Sequence, residues 1–213
     1  MYKQDYILLI MNCEKYRFKA QKQKETWLKD LPDFLIYYHV IGNPLLDKEY
    51  IFDDNERILY VKTNDDYNSL PKKVIKSFEI ITKVFDYKYI FKTDDDQILN
   101  NYKFFDMVKG LIQSKNYDYG GNVVDVKQSY LSQYYRIHPE LPSYLPVNST
   151  KYCSGRFYFL SKDIVNDLLK TEKKELIENE YLEDYAIGFH MNARFKNKEN
   201  ILHIPTDSFF RDM

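Results

Sequence analysis

Two cysteines, six glycines, seven prolines and one tryptophan in 213 residues leave no material for a disulfide scaffold or a glycine-rich low-complexity region. Cys13 and Cys153 lie far apart and fit no zinc spacing, so both read as buried free thiols. No segment of the GxxxxGK[ST] kind is present, which weakens a P-loop reading. No apolar run approaches the roughly 18 to 20 residues that cross a bilayer, and the N-terminus lacks a charged-then-apolar leader. The chain is therefore expected to be soluble and cytoplasmic, without a membrane segment, and Asn148-Ser149-Thr150 is expected to be an ordinary polar loop despite its sequon form. Excess charge is also lacking: 31 basic against 32 acidic residues give a net charge of −1, so nucleic acid is not an expected partner. What is abundant is aromatic, with 21 Tyr and 14 Phe, a bias expected of an AT-rich genome such as that of a large virus or protist.

The length suits one domain. Tyr6 to Met11 is an unbroken apolar run of strand length, as in a strand buried on both faces of a parallel sheet. A charged segment from Glu14 to Lys29 predicts a surface helix, Phe34 to Ile41 a second strand ended by Gly42-Asn43-Pro44, and Ile58 to Val61 a third. Val74, Phe78, Ile81 and Phe85 recur at helical spacing in a helix beginning near Ser69 and Pro71, and Tyr87 to Lys92 completes the crossover. A helix around Phe105, Val108 and Ile112, strands near Tyr117 to Val124 and Arg156 to Leu160, a helix capped by Ser161, a helix from Leu182 to Ala193 and a strand Ile201 to Ile204 come next. Residues 125 to 152 carry three prolines and little pattern, and such a long loop in a compact domain is expected to border the acceptor. The expectation is an α/β fold built on a Rossmann-like sheet flanked by helices.

Asp94, Asp95 and Asp96 follow the fourth strand directly. Adjacent carboxylates repel, and a divalent cation at a strand's carboxyl end relieves that repulsion. Hard oxygens suit Mn²⁺ or Mg²⁺, with Asp96 as ligand and Asp94 acting through water; the alternative is a solvated acidic turn. Gly155, entering an aromatic strand, would let a ligand approach the backbone, or simply form a bulge. Glu183 and Asp184 open a helix, where acids commonly serve the dipole. His203 is a candidate ligand or a satisfied core residue; His39, His138 and His190 have less to recommend them. Arg17 could meet a pyrophosphate or be a surface residue.

The order of these elements is more specific than any one of them. Thr26-Trp27, Asp65-x-Tyr67-x-x-Leu70-x-x-Lys73, Lys92-Thr93-Asp94-Asp95-Asp96, Tyr152-x-Ser154-Gly155 with Tyr158-x-Leu160-Ser161, and Glu183-Asp184-Tyr185-x-x-Gly188 occur in sequence. In this the chain resembles the inverting beta-1,3-glycosyltransferases, which include galactosyl- and N-acetylglucosaminyltransferases and the Fringe proteins. The resemblance implies a GT-A fold over residues 1–213, with Mn²⁺ held by the Asp cluster against the diphosphate of a UDP-sugar donor and a glycan or glycoprotein as acceptor. It further implies that Asp96 is the direct metal ligand, that Asp184 of the Glu183-Asp184 pair is the catalytic base, that Asp94, Asp95 and Gly155 border the donor, and that His203 completes the metal shell. Lys24 stands where the family usually has arginine. Arg156-Phe157 replaces small residues, which would narrow or re-charge the sugar pocket. The membrane anchor and stem of cellular members do not occur in these residues. Two rival readings are a transferase-like binding module without activity and a metal-dependent nucleotidyltransferase using the same acids.

Overall fold

In a computed structural model, which describes residues 1–192 and 201–213, the apolar run expected at the centre of the sheet is there. The main sheet has eight strands: β1 (Tyr6–Met11), β2 (Leu35–Gly42), β3 (Tyr50–Asp53), β4 (Ile58–Val61), β5 (Tyr89–Asp94), β6 (Tyr119–Val126), β7 (Thr150–Ser161) and β8 (Ile201–His203). Their order is β8-β6-β7-β5-β1-β2-β4-β3. β5, β1, β2 and β4 run parallel, whereas β7 is inserted antiparallel between β5 and β6, and β3 is an antiparallel edge. The result is one mixed α/β sheet, consistent with a GT-A-like fold.

All six residues of β1 are buried because both sheet faces are covered. Alternate side chains serve the two sides: Ile7, Leu9 and Met11 join one apolar cluster, and Tyr6, Leu8 and Ile10 the other. The first cluster takes in α2 (Leu70–Val84), α4 (Lys162–Leu168), α5 (Thr171–Glu178) and α6 (Glu183–Asn192), through Val74, Phe78, Ile81, Ile164, Ile177 and Ile187. The second takes in α3 (Phe104–Lys115) and Trp27.

Local chemistry moves several boundaries. Pro71 sits in the first turn of α2, where its missing N–H is tolerated. Ser161 Oγ accepts from Ile164 N at 3.4 Å and caps α4. The stripe read through Phe85 stops one residue early, and Phe85–Asp86 instead pairs with Tyr2–Lys3. The expected helix from Glu14 to Lys29 is divided into a 3-10 turn (Glu14–Tyr16), α1 (Arg17–Glu25) and a second 3-10 turn (Leu28–Asp30). β7 begins at Thr150 rather than Arg156, because its first residues pair with Val126 to Val123. α6 is described to Asn192; Ala193, its expected end, lies outside the described residues.

Two glycines bring the acidic residues of separate elements together. The β6–β7 register shifts between Cys153 and Tyr158, so residues 154–157 bulge around Gly155. Gly188 lets α6 lie directly on β7, since a Cβ there would stand 2.3 Å from Tyr152 Cβ. The N-terminus of α6, with Glu183 and Asp184, is thereby delivered to the bulge.

Candidate active site

Along β5, Ile90, Lys92 and Asp94 share the face that looks toward α6. Lys92 is buried there, with Nζ 2.7 Å from Asp94 Oδ1 and 2.9 Å from Glu183 Oε2. It also donates to Gly155 O at 3.2 Å. Burial alone would lower its pKa, but the two carboxylates outweigh that and raise it. Glu183 accepts a short hydrogen bond from Tyr158 OH and is 4% exposed. Its oxygens are therefore committed to Lys92 and Tyr158, and Glu183 is a buttress rather than a group presented to substrate.

Asp184 is held differently. Gly155 N donates to Oδ2 at 2.9 Å and Tyr185 N to Oδ1 at 2.8 Å. Burial, then the neighbouring Glu183 charge, push its pKa up to about 6 against the opposing effects of Lys92 and the two N–H donors. Burial also lifts Asp94, to about 7, with Glu183 and Asp96 adding to it and Lys92 opposing it. The acid turn and Asp184 meet at the bulge: a Cβ on Gly155 would lie 2.9 Å from Asp94 Oδ2, 3.1 Å from Lys92 Nζ and 3.7 Å from Asp184 Oδ2. Any side chain at residue 155 would occupy the space between the two acids.

In front of the acids opens a cleft of about 700 Å³, lined by Asn12, Lys15, Lys19, Asp65, Asp94, Asp95 and Asp96 among others. It stands at the carboxyl ends of the parallel strands, where open α/β sheets take ligands. Asp65 builds its floor, accepting from Glu14 N at 2.7 Å, Gly42 N at 2.8 Å and Lys73 Nζ at 2.9 Å. This accounts for the Asp65 and Lys73 spacing in physical terms: the pair ties the loop after β1 and the end of β2 to α2. Lys19 Nζ is 3.2 Å from Asp95 Oδ1, partly offsetting the rise that burial imposes on that carboxyl.

Sequence reasoning missed His138. Its ring stacks on Tyr67 at 3.9 Å and lies nearly parallel to Tyr134 at 5.7 Å, and all three line the cleft. Asn68 Nδ2 donates to Glu140 O at 3.0 Å, so the irregular loop is docked over the cleft as its length suggested. The available signal was the density of aromatics in that loop.

Of the expected site residues only Asp94, Asp95 and Asp96 line this cleft; Gly155, Glu183 and Asp184 gather next to Asp94 without lining it, and Arg17, Arg156 and His203 lie elsewhere. Arg17 pairs with Glu14 at 3.5 Å on the surface. Arg156 points to the C-terminal segment, with Nη1 2.7 Å from Asp207 and Nη2 2.8 Å from Asp212, so it does not narrow the cleft. His203 is on the edge strand, beside Gly121, which lies beside Tyr158, which lies beside Lys92. Successive inter-strand steps of about 4.8 Å put it roughly 14 Å from the strand that carries the acids. Its Nδ1 instead accepts from Val123 N at 3.3 Å.

Among the described residues no three His, Cys, Asp or Glu side chains gather as a metal site. Asp94 is paired with Lys92 and Asp95 with Lys19, whereas Asp96 has no cationic partner among the described residues. A donor set of this kind does not make a closed protein cage. It does fit a hard divalent ion that takes one or two carboxylates and completes its shell from substrate phosphate and water.

A family model described as Galactosyltransferase matches residues 22–198. Human UDP-GalNAc:beta-1,3-N-acetylgalactosaminyltransferase 1 is 29% identical over 145 residues, covering 68% of this chain and 42% of that protein. The pig protein of the same name is 27% identical over 170 residues (79% and 48%), and the mouse protein 28% over 191 residues (89% and 50%). The chain thus spans about half the length of these curated relatives. Kinship with such transferases overturns the cytoplasmic placement expected from a missing leader. No helix among the described residues is long and apolar enough to cross a membrane.

Proposed function

The chain belongs to the galactosyltransferase family, and from that premise we propose that residues 1–213 are the GT-A catalytic domain of a metal-dependent inverting glycosyltransferase. The reaction moves a sugar from a UDP-sugar to a hydroxyl of a glycan or glycoprotein acceptor. The observation that carries this reading is the convergence of Asp94 and Asp184 on Gly155, with Asp94 also lining a cleft of about 700 Å³ beside them.

Asp96, assisted by Asp94, would hold Mn²⁺ or Mg²⁺, which supplies charge stabilisation for the departing diphosphate without proton transfer. Lys19 and Lys15, on the cleft wall, add positive charge beside the same acids. Asp184 takes the proton of the attacking hydroxyl from the opposite side of the anomeric carbon, so that a single displacement inverts it. Two backbone N–H groups hold its carboxylate in place, and the raised pKa gives it useful basicity near neutral pH. Lys92 and Glu183 act from behind, fixing Asp94 and the start of α6. The loop carrying Tyr134 and His138 faces the acceptor side.

The test is a screen of UDP-sugar turnover with Mn²⁺, beginning with UDP-GalNAc because the relatives' names contain it. Transfer or hydrolysis that needs the metal and is lost in Asp184→Asn supports the reading. Absence of turnover with every donor, or release of nucleoside monophosphate in place of UDP, counts against it.

A further inference from the structure

Behind the acid turn lies a polar assembly that the reaction itself does not use. Gln23, on α1, is 0% exposed. Its Nε2 donates to two carbonyls at once, Gln97 O at 2.9 Å and Asp94 O at 3.2 Å. These carbonyls bracket Asp95 and Asp96, so one carboxamide spans the turn from end to end. Two acceptors on that side require the NH₂ group there, which turns Oε1 toward His39 Nε2, 3.0 Å away. His39 is itself 0% exposed and must present Nε2–H, the tautomer that donates to an amide oxygen. Trp27 Nε1 adds a second donor to Gln97 O at 3.2 Å. Two elements, α1 and β2, thus hold the inner side of the acid turn through a single side chain, while the C-terminal residues Phe210–Asp212 pair with Gln97–Leu99 and Met213 N donates to Asp96 O at 2.8 Å.

We propose that Gln23 is a positioning residue for the acid turn: by fixing the Asp94 and Gln97 carbonyls it sets where Asp95 and Asp96 point, and thereby the affinity for a divalent ion and nucleoside diphosphate. This role rests on the transferase reading of the same cleft. An apolar side chain at residue 23 would fill the space and leave Asp94 O without that donor and Gln97 O with Trp27 Nε1, loosening the turn at its Asp94 end, where Asp95 follows. Buried carbonyls deprived of a partner carry a penalty that a change of turn conformation relieves. A purely structural role would lower stability and leave ligand affinity alone.

The experiment compares wild type with Gln23→Met, His39→Leu and Val108→Ala. The last is a control that opens the same apolar cluster on α3 away from the turn. Thermal unfolding and calorimetric titration of UDP with and without Mn²⁺ are measured for each. Gln23→Met is expected to weaken Mn²⁺-supported UDP binding tenfold or more, His39→Leu to do so less strongly, and Val108→Ala to lower the melting temperature with affinity unchanged. If Gln23→Met and His39→Leu both melt lower yet bind Mn²⁺ and UDP as wild type does, the positioning role is overturned and the transferase reading stands. If wild type shows no Mn²⁺-supported binding, both fall. Should Gln23→Met fail to fold, His39→Leu, which removes only the donor to Oε1, decides the matter by the same criterion.

Discussion

Lys92 and Glu183 form an ion pair closed to solvent: Nζ and Oε2 are 2.9 Å apart, and the side chains are 1% and 2% exposed. Replacing one partner leaves a charge with too little compensation, which for buried pairs is worth about 3–5 kcal/mol. Lys92→Met is therefore expected to unfold at markedly lower denaturant, with the Lys92→Met/Glu183→Leu double variant recovering part of the loss. Denaturant titration of the two single variants and the double gives the coupling. Strictly additive effects would contradict the pairing.

Asp184→Asn should keep donor affinity and lose transfer, since general-base help is typically worth ~10²–10⁴-fold. The wild-type pH profile carries the same information. A base must be ionised, and the Asp184 carboxyl is raised to about 6. The transfer rate should be level above that point and fall about tenfold per pH unit below it. A profile that stays flat well below the Asp184 pKa would remove it from the role.

Metal dependence should run through Asp96 and bypass His203. Asp96→Ala is expected to abolish Mn²⁺-supported nucleotide binding in calorimetry. His203→Ala should bind as wild type, because three inter-strand steps separate His203 from the acid-bearing strand. Equal losses in the two variants would restore the histidine to the metal shell.

Gly155→Ala places a methyl 2.9 Å from Asp94 Oδ2 and 3.1 Å from Lys92 Nζ. Something must give, and the least constrained group is the partly exposed Asp94 carboxylate. Transfer should fall at least tenfold while the melting temperature moves by only a few degrees. A variant that is equally active would mean the acids tolerate displacement.

Most of the scaffold was legible because it is written in periodicity. Ile7, Leu9 and Met11 against Leu8 and Ile10 announce a strand covered on both faces, and Val74, Phe78 and Ile81 a helix laid on it. Placing the triplet and the Glu183-Asp184 pair in one site rested on motif order, and the fold links Asp94 of the triplet to Glu183 through Lys92. What escaped was everything decided by where a long side chain turns. Arg156 reaches Asp207 and Asp212 near the C-terminus, and nothing in Gly155-Arg156-Phe157 says which way it goes. Glu183 and Asp184 look alike in sequence, and only the positions of Lys92 and Tyr158 make the first a buttress. His138 gained its place by stacking on Tyr67, a contact between segments with no shared pattern. The three-strand separation of His203 from the acids was out of reach because strand order across the sheet, unlike position along the chain, is not visible in a linear sequence.

The bulge around Gly155 also sets an order of events during synthesis. Its amide is consumed by Asp184, a residue far downstream, so the two facing carboxylates cannot be assembled until α6 has left the ribosome and settled on β7. A nascent chain that has released only its N-terminal half holds β1 and β2, yet lacks both the base and the C-terminal segment that fixes the acid turn, where Phe210–Asp212 pairs with Gln97–Leu99 and Met213 N donates to Asp96 O at 2.8 Å. Ligand capture by the turn and competence for transfer should therefore both wait for the residues around Met213, and stalled ribosomal intermediates that end before them would show neither.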